Sequence, residues 1–425
     1  MNRNVLIISP YFPPVNAADM QRVRMSLPYF RAFGWDAEVV AVDPLYTDMG
    51  TDALLSESVP PEIRVHTVKA FPKSFTSRFG LGSIALRSLW FYRQLVNSLL
   101  IKKKYDLIYF STTQFPVCIL GAYWKKKFGV PYVVDMQDPW HSGYYRDKPR
   151  DQRPPKYWFS YRLNKYLERP AIRHADGLIS VSDNYIEDLK ARYPSIRDVP
   201  SATITFGAFD PDMQIAAAHN AGFSNILDPS CTNIVYIGRG GADLHKAIAP
   251  LFRAIGAGSG NLPRLKPFRC YFIGTSYAPA GQGSPSILPL ARQFGIAEQV
   301  TELTDRIGFY HSLATLQRAD ALFIAGSDDP RYTASKIFPY TLAAKPLLGI
   351  FNPASSAIRI LKEYGAVHVY DYESVEAQQI DAFLSGLRDD SKRSPQYEPQ
   401  AIAKYSAQQM TARQCSLFDK VLQEI

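Results

Sequence analysis

Two stretches of this 425-residue chain combine cations and permissive backbone at spacings suited to holding an anion. The first is "YIGRGGADLHKA", residues 236–247, where an apolar run ends at Gly238, Gly240 follows, and Arg239 and Lys246 flank the entry to the next helical pattern. Glycine lets backbone approach a ligand, and a helix start beside a guanidinium and an ammonium suits a pyrophosphate. The second is "SKIFPYTLAAKPLL", residues 335–348. Proline lacks an amide hydrogen and clashes with the carbonyl four residues back, so Pro339 restricts the start of that helix to residues 335–338. The first amides of the helix are then unpaired, and its positive end faces the same way.

Other chemistries lack their residues. No Walker A sequence occurs, and the strand-like "RCYFIG" ends without the acidic residue that a dinucleotide fingerprint needs. Asp210-Pro211-Asp212 reads as a chance triplet, and His141, His174 and His245 stand alone, so no metal site or Ser/His/Asp triad is expected. Cysteines 118, 231, 270 and 415 form no Cys-x-x-Cys pair and read as reduced structural thiols.

The elements that must position these residues alternate. "NVLIISPYFPP" is an apolar run feeding a turn, and "RVRMSLPYFRAFGWDAEVVAV" gives a helix, a break at Gly34 and a second strand. The alternation continues through "YDLIYFST", "PYVVDMQD" and "ADGLISVS", then resumes with "TNIVYIG", "PFRCYFIGT", "VTELTD", "DALFIAGSD", "PLLGIF" and "AVHVYD". Strands alternating with helices imply parallel sheets covered on both faces. With 46% hydrophobic residues the chain can fill two medium cores. We read residues 1–208 as a first doubly wound domain, 209–230 as a polar, small-residue linker, 231–404 as a second domain, and 405–425 as a terminal helix. Ligands are expected at the carboxyl ends of the strands.

The net charge of +9 is uneven: residues 1–210 hold 28 basic and 20 acidic residues, and residues 211–425 hold 20 and 19. Residues 64–104 contain nine Lys/Arg and no Asp/Glu, interleaved with Phe71, Phe75, Phe79, Leu81, Leu86, Leu89, Trp90 and Phe91. This mixture fits an anionic phospholipid surface, with apolar residues among headgroups and cations on phosphates. A solvated basic face over an ordinary helix is the competing reading. Nucleic acid is not expected, because no helix-turn-helix, zinc finger or RNP-type motif accompanies the charge. No secretory signal and no apolar stretch of membrane-spanning length is read, so a cytoplasmic, membrane-peripheral protein is expected.

"NVLIISPYFPP", "ADGLISVS", "YIGRGG" followed by Lys246, and "SKIFPYTLAAKPLL" after "RADALFIAGSDD" occur in an order and spacing that resemble GT-B glycosyltransferases, most closely family 4. The resemblance runs from the first strand to the terminal helix. It implies two Rossmann-like domains facing a cleft, an acceptor held by the first, a nucleoside-diphosphate sugar held by the second, no metal or other cofactor, retention of anomeric configuration, and a terminal helix returning to the first domain. Residue by residue, it implies that Arg239 and Lys246 hold the donor diphosphate beside Gly238 and Gly240. Ser335, Lys336 and Ile337 would meet phosphate, and Arg306 and Ile307 the base. Asn16, Ala17 and Ala18 would form the loop that closes over the diphosphate, with Ala17-Ala18 in place of the usual glycine pair. Asp138 would lie beside the donor sugar.

One departure is explicit. The family's two glutamates, seven residues apart, correspond to Arg331 and Pro339, neither of which can accept a sugar or ribose hydroxyl. Asp328, Asp329 or Tyr332 then stands in. The implied function is transfer of a sugar to a hydroxyl of a glycan or lipid-linked glycan, in surface polysaccharide synthesis. The alternative is a non-catalytic protein of this fold serving as a glycan-assembly or membrane-binding partner.

Overall fold

The computed structural model describes residues 2–141, 146, 149–150, 153, 157–258, 266–329, 336–388 and 397–424. Two parallel sheets carry the architecture. In the first, β1 (Arg3–Ile8), β2 (Trp35–Val42), β3 (Arg64–Val68), β4 (Leu107–Ser111), β5 (Tyr132–Met136), β6 (Gly177–Ser180) and β7 (Ser201–Thr203) lie in the order β3-β2-β1-β4-β5-β6-β7. Both neighbours of β1 run parallel to it, with Val5 opposite Ala37 on one side and Leu107 on the other. In the second, β8 (Thr232–Ile237), β9 (Phe268–Ile273), β10 (Val300–Leu303), β11 (Ala321–Ala325), β12 (Leu347–Phe351) and β13 (His368–Asp371) lie in the order β10-β9-β8-β11-β12-β13.

Burial on both sheet faces explains why the central strands are near-continuous apolar runs. Leu6, Ile8, Ile108, Phe110, Val134 and Trp124 belong to the first core, and Ile234, Phe272, Phe323, Leu348, Leu251 and Phe252 to the second. Each sheet reverses its winding direction once, between β1 and β4 in the first and between β8 and β11 in the second. Loops that leave neighbouring strands toward opposite faces open a crevice there, and in open α/β sheets that is where ligands bind.

The chain divides into residues Met1–Gly207 with Ala407–Ile425, and residues Ala208–Ser406. Residues 209–230, read above as a linker, are instead part of the second unit. Asp210–Ala218 is a helix with Pro211 in its first turn, packed on the helix Phe309–Arg318, where the Tyr310 hydroxyl donates to buried Asp212 at 2.9 Å. Arg318 then ties the segment down by donating to the carbonyls of Phe223 and Ser224 at 3.1 Å. The segment that suggested a linker holds a short helix whose Asp212, Met213 and Ala216 are buried, while Ala217 and Ala218 stay exposed.

Candidate functional site

The Gly-rich turn leaves β8 at the second sheet's reversal point. The Gly238 amide donates to the Ile273 carbonyl at 2.9 Å and the Gly240 amide to Thr275 at 2.8 Å, which pins the turn against the end of β9. Glycine is required at both positions. A Cβ on Gly240 would stand 2.2 Å from Ser286 Oγ, and one on Gly238, whose φ is +151°, would stand 2.5 Å from Lys336 Nζ. Ser286 is fixed in turn by Glu302 on β10. The Glu302 carboxylate accepts the amides of Ser286, Ile287 and Leu288 at 2.7 to 2.9 Å and the Thr275 hydroxyl at 2.8 Å.

Arg239 is held by Asp243 in a two-point pair, Nη1 to Oδ1 at 2.9 Å and Nη2 to Oδ2 at 2.6 Å. Hydrogen bonding by Arg239 depresses the Asp243 carboxyl, and the Ser327 hydroxyl adds a bond at 2.7 Å. Asp243 thereby joins the β8 turn to the loop after β11, since its own carbonyl also accepts the Asp328 amide at 3.0 Å. The Asp328 carbonyl accepts the Asn352 side chain at 2.9 Å, which also donates to the Tyr372 hydroxyl at 2.8 Å. Lys246 is exposed in the first turn of the helix His245–Gly256, its ammonium 5.6 Å from the Tyr372 ring centre. His245 does not face this group; its Nε2–H donates to the Ser286 carbonyl at 2.9 Å.

Lys336 is the last described residue before the helix Ile337–Leu342. Its Nζ donates to the Tyr236 hydroxyl at 2.7 Å and lies 4.1 Å from the centre of that ring. Tyr236 spends its own proton on the Arg239 carbonyl at 2.8 Å. Burial first, and the Arg239 charge second, push the Lys336 ammonium down to about 7. Pro339 is the third residue of the helix, so its missing amide removes no intrahelical bond. Ile337, expected from the sequence to meet phosphate, is 1% exposed as a whole residue and is part of the core. At six residues the helix is too short for its dipole to add much, so the side-chain charges carry the electrostatics. Tyr340 locks the helix to β8 by accepting the Ile237 amide at 2.7 Å.

Arg239, Lys246, Lys336, Gly238, Gly240 and Asp328 therefore gather around one reversal point. Arg306 and Ile307 follow β10 on the same carboxyl edge, the Arg306 guanidinium lying 4.0 Å from the Tyr277 ring centre. Tyr332 and Ser335, with Arg331, lie outside the described residues. Sequence reading missed Tyr236, Asp243, Ser327 and Glu302. Only Asp243, at four residues from Arg239, had a local signal.

In the first unit, Asn16, Ala17 and Ala18 follow the cis Pro13-Pro14 bond. The Asn16 amide donates to the Gly50 carbonyl at 2.8 Å, Ala17 is buried and Ala18 is exposed. Next to them, buried Asp19 accepts the Thr112 hydroxyl at 2.7 Å and the Thr113 amide at 3.1 Å, while Gln137 donates to the Asp19 carbonyl at 3.0 Å. Asp138 follows β5 at the same edge. It keeps solvent exposure, yet partial desolvation first and the Asp19 charge second raise its carboxyl. Beneath both, Arg22 and Asp135 form a fully buried ion pair at 2.7 Å.

The basic run of the first unit is only partly a surface. Arg87 is buried and donates to the Phe71 and Tyr46 carbonyls at 2.7 Å, Lys103 pairs with Glu38, and Lys73 pairs with Asp48. Phe75 (61% exposed) and Trp90 (51%) remain in water with Phe71 and Leu81. No helix among the described residues is long and apolar enough to cross a membrane.

Residues 21–202 match the glycosyl transferase 4-like domain. No curated protein matches the chain in sequence. Among solved structures, the chain is similar to HepE (Alr3699) of Anabaena in complex with UDP-glucose, at a TM-score of 0.57 and 16% identity over 99% of this chain and 100% of that one. It is also similar to the N-terminal domain of trehalose-6-phosphate phosphatase from Candida albicans, at a TM-score of 0.61 and 13% identity over 99% and 97%. A third likeness is to a UDP-forming trehalose-phosphate synthase from Burkholderia xenovorans in complex with glucose-6-phosphate, at a TM-score of 0.55 and 12% identity over 99% of each chain.

Proposed function

For a chain whose residues 21–202 match the glycosyl transferase 4-like domain and whose whole length has the GT-B fold, we propose the activity of a retaining, metal-independent glycosyltransferase. It moves a sugar from a nucleoside diphosphate to a hydroxyl of a glycan or lipid-linked glycan in surface polysaccharide synthesis. The observation that carries this reading is the set of three basic side chains, Arg239, Lys246 and Lys336, gathered with the Gly238–Gly240 backbone around the β8/β11 reversal point. Departure of a diphosphate develops negative charge at that place, and preorganised cations and amides stabilise it without reorganising. The likeness to a protein bound to UDP-glucose supports a uridine nucleotide as donor. Retention places the acceptor hydroxyl on the face that the diphosphate leaves, and a phosphate oxygen takes the acceptor proton. Asp138 orients the acceptor or the donor sugar. The exposed Phe71, Phe75, Leu81 and Trp90 beside basic residues support a peripheral seat on the cytoplasmic membrane, where lipid-linked acceptors reside.

Pro339 favours a second reading. It sits in a well-formed first turn where the family's ribose carboxylate would be, so a non-catalytic partner in glycan assembly remains the rival. Calorimetric titration with UDP-, GDP-, ADP- and CMP-linked sugars separates the two. Selective binding of one donor, lost in Lys246→Ala, supports the transferase; a folded protein that binds none favours the rival. Arg239→Ala is a less clean probe, because it leaves Asp243 as an unpaired acid facing the phosphates. The Arg239→Ala/Asp243→Asn double variant removes that repulsion.

A further inference from the structure

Lys336 occupies an unusual seat for a phosphate-binding cation. Its amine rests on bare backbone at Gly238, over the Tyr236 ring and on the Tyr236 hydroxyl oxygen, whose proton is committed to Arg239. The groups facing it are Tyr236 from β8 and Arg239 from the turn. Asp243 is taken by Arg239 and Ser327, Tyr340 by β8, and among the described residues no carboxylate pairs with Lys336.

Resting on the donor-site reading above, we propose that Lys336, buried on Tyr236 beside the Arg239 guanidinium and without a carboxylate partner among the described residues, is only partly protonated in the empty site and completes its charge by taking up a proton from solvent as the donor's diphosphate binds. The balance is simple: the amine nitrogen gains one proton from buffer and no covalent bond forms or breaks. The ring face favours the ammonium, whereas burial and the fixed Arg239 charge disfavour it; the latter prevail, since the amine is pushed down to about 7. Entry of a dianion reverses the sign of the local field. The ammonium then becomes the stable form, and the third positive charge of the site is complete when phosphate is present.

The test is calorimetry with UDP and GDP on the full chain at pH 8, in two buffers of different ionisation enthalpy. At that pH the terminal phosphate, which titrates near pH 6, has already lost its proton, so it contributes little. Wild type is expected to take up about one proton per nucleotide bound. Lys336→Arg stays charged throughout, so it should keep affinity within a few fold and show no uptake. Lys336→Met should lose roughly tenfold or more in affinity. Binding to wild type with no proton uptake, or equal uptake by the arginine variant, overturns the lysine's role while leaving the donor site standing. Failure of every nucleotide to bind folded wild type overturns both.

Discussion

Asp19 shows how a single buried group sets the behaviour of its neighbour. It is 4% exposed and accepts only neutral donors, from Thr112 and Thr113, and burial raises its own carboxyl. Its charge is the second cause, after desolvation, of the raised Asp138 carboxyl. Asp19→Asn keeps an oxygen for the threonine donors and removes the charge, so Asp138 should titrate at lower pH, as read by carboxyl-carbon NMR with Asp138→Asn as the assignment. The sign for stability follows from linkage. A carboxyl raised in the folded state binds more protons folded than unfolded, so its contribution is present below the unfolded value of about 3.9 and is lost as pH rises through the folded value. Urea midpoints of the wild type should therefore lose more between pH 4 and the raised value than those of Asp19→Asn. Equal slopes and an unmoved Asp138 would remove the coupling from the argument.

At the scale of elements, the Gly238–Gly240 turn works because β9 and β10 supply its walls. Gly240→Ala drives a methyl into Ser286 Oγ, while Glu302 holds that serine by its amide, so the serine cannot retreat cheaply. Nucleotide affinity should fall roughly tenfold or more, the scale of about 1.4 kcal/mol. Adding Ser286→Ala, which deletes the clashing oxygen, should restore most of it; no restoration would mean that the turn is displaced against Thr275 instead. This layering marks what the sequence could show. Arg239, Lys246 and the glycines lie within one strand-turn-helix unit, where local spacing is enough. The apolar strand runs likewise read correctly, because a sheet buried on both faces leaves no alternation to confuse. Lys336 reaches Tyr236 across 100 residues, a pairing that exists only because β8 and β11 are neighbours, and strand order is not written in any local pattern. The misread linker has the same cause: small residues in 209–230 looked like punctuation, and only the helix Phe309–Arg318, distant in sequence, gives Asp210–Ala218 something to pack on.

On the whole-molecule scale, the first unit is closed by the last residues of the chain. Phe418 packs on Trp35, Tyr109 and Phe30 with ring centres 5.4, 5.0 and 6.3 Å away. Around it Gln414 donates to Ser26 at 2.8 Å, Trp35 donates to Asp419 at 3.1 Å, and Gly177 lacks the Cβ that would meet Val421 at 2.7 Å. The core of the first unit therefore includes a segment made about 200 residues after the rest of it, and its stability depends on a helix that follows the second unit. Phe418→Ala should cost about 3 to 5 kcal/mol, the range for emptying a buried aromatic site. Because the second unit has its own core, built from β8 to β13, that loss should fall on one unit alone. Differential scanning calorimetry should show one transition moving down while a second keeps its midpoint, and the moving one should also respond to Trp35→Ala. If both transitions shift together, the units unfold cooperatively, and the Gly238–Gly240 turn after β8 would then feel the terminal helix through stability as well as through chain connectivity.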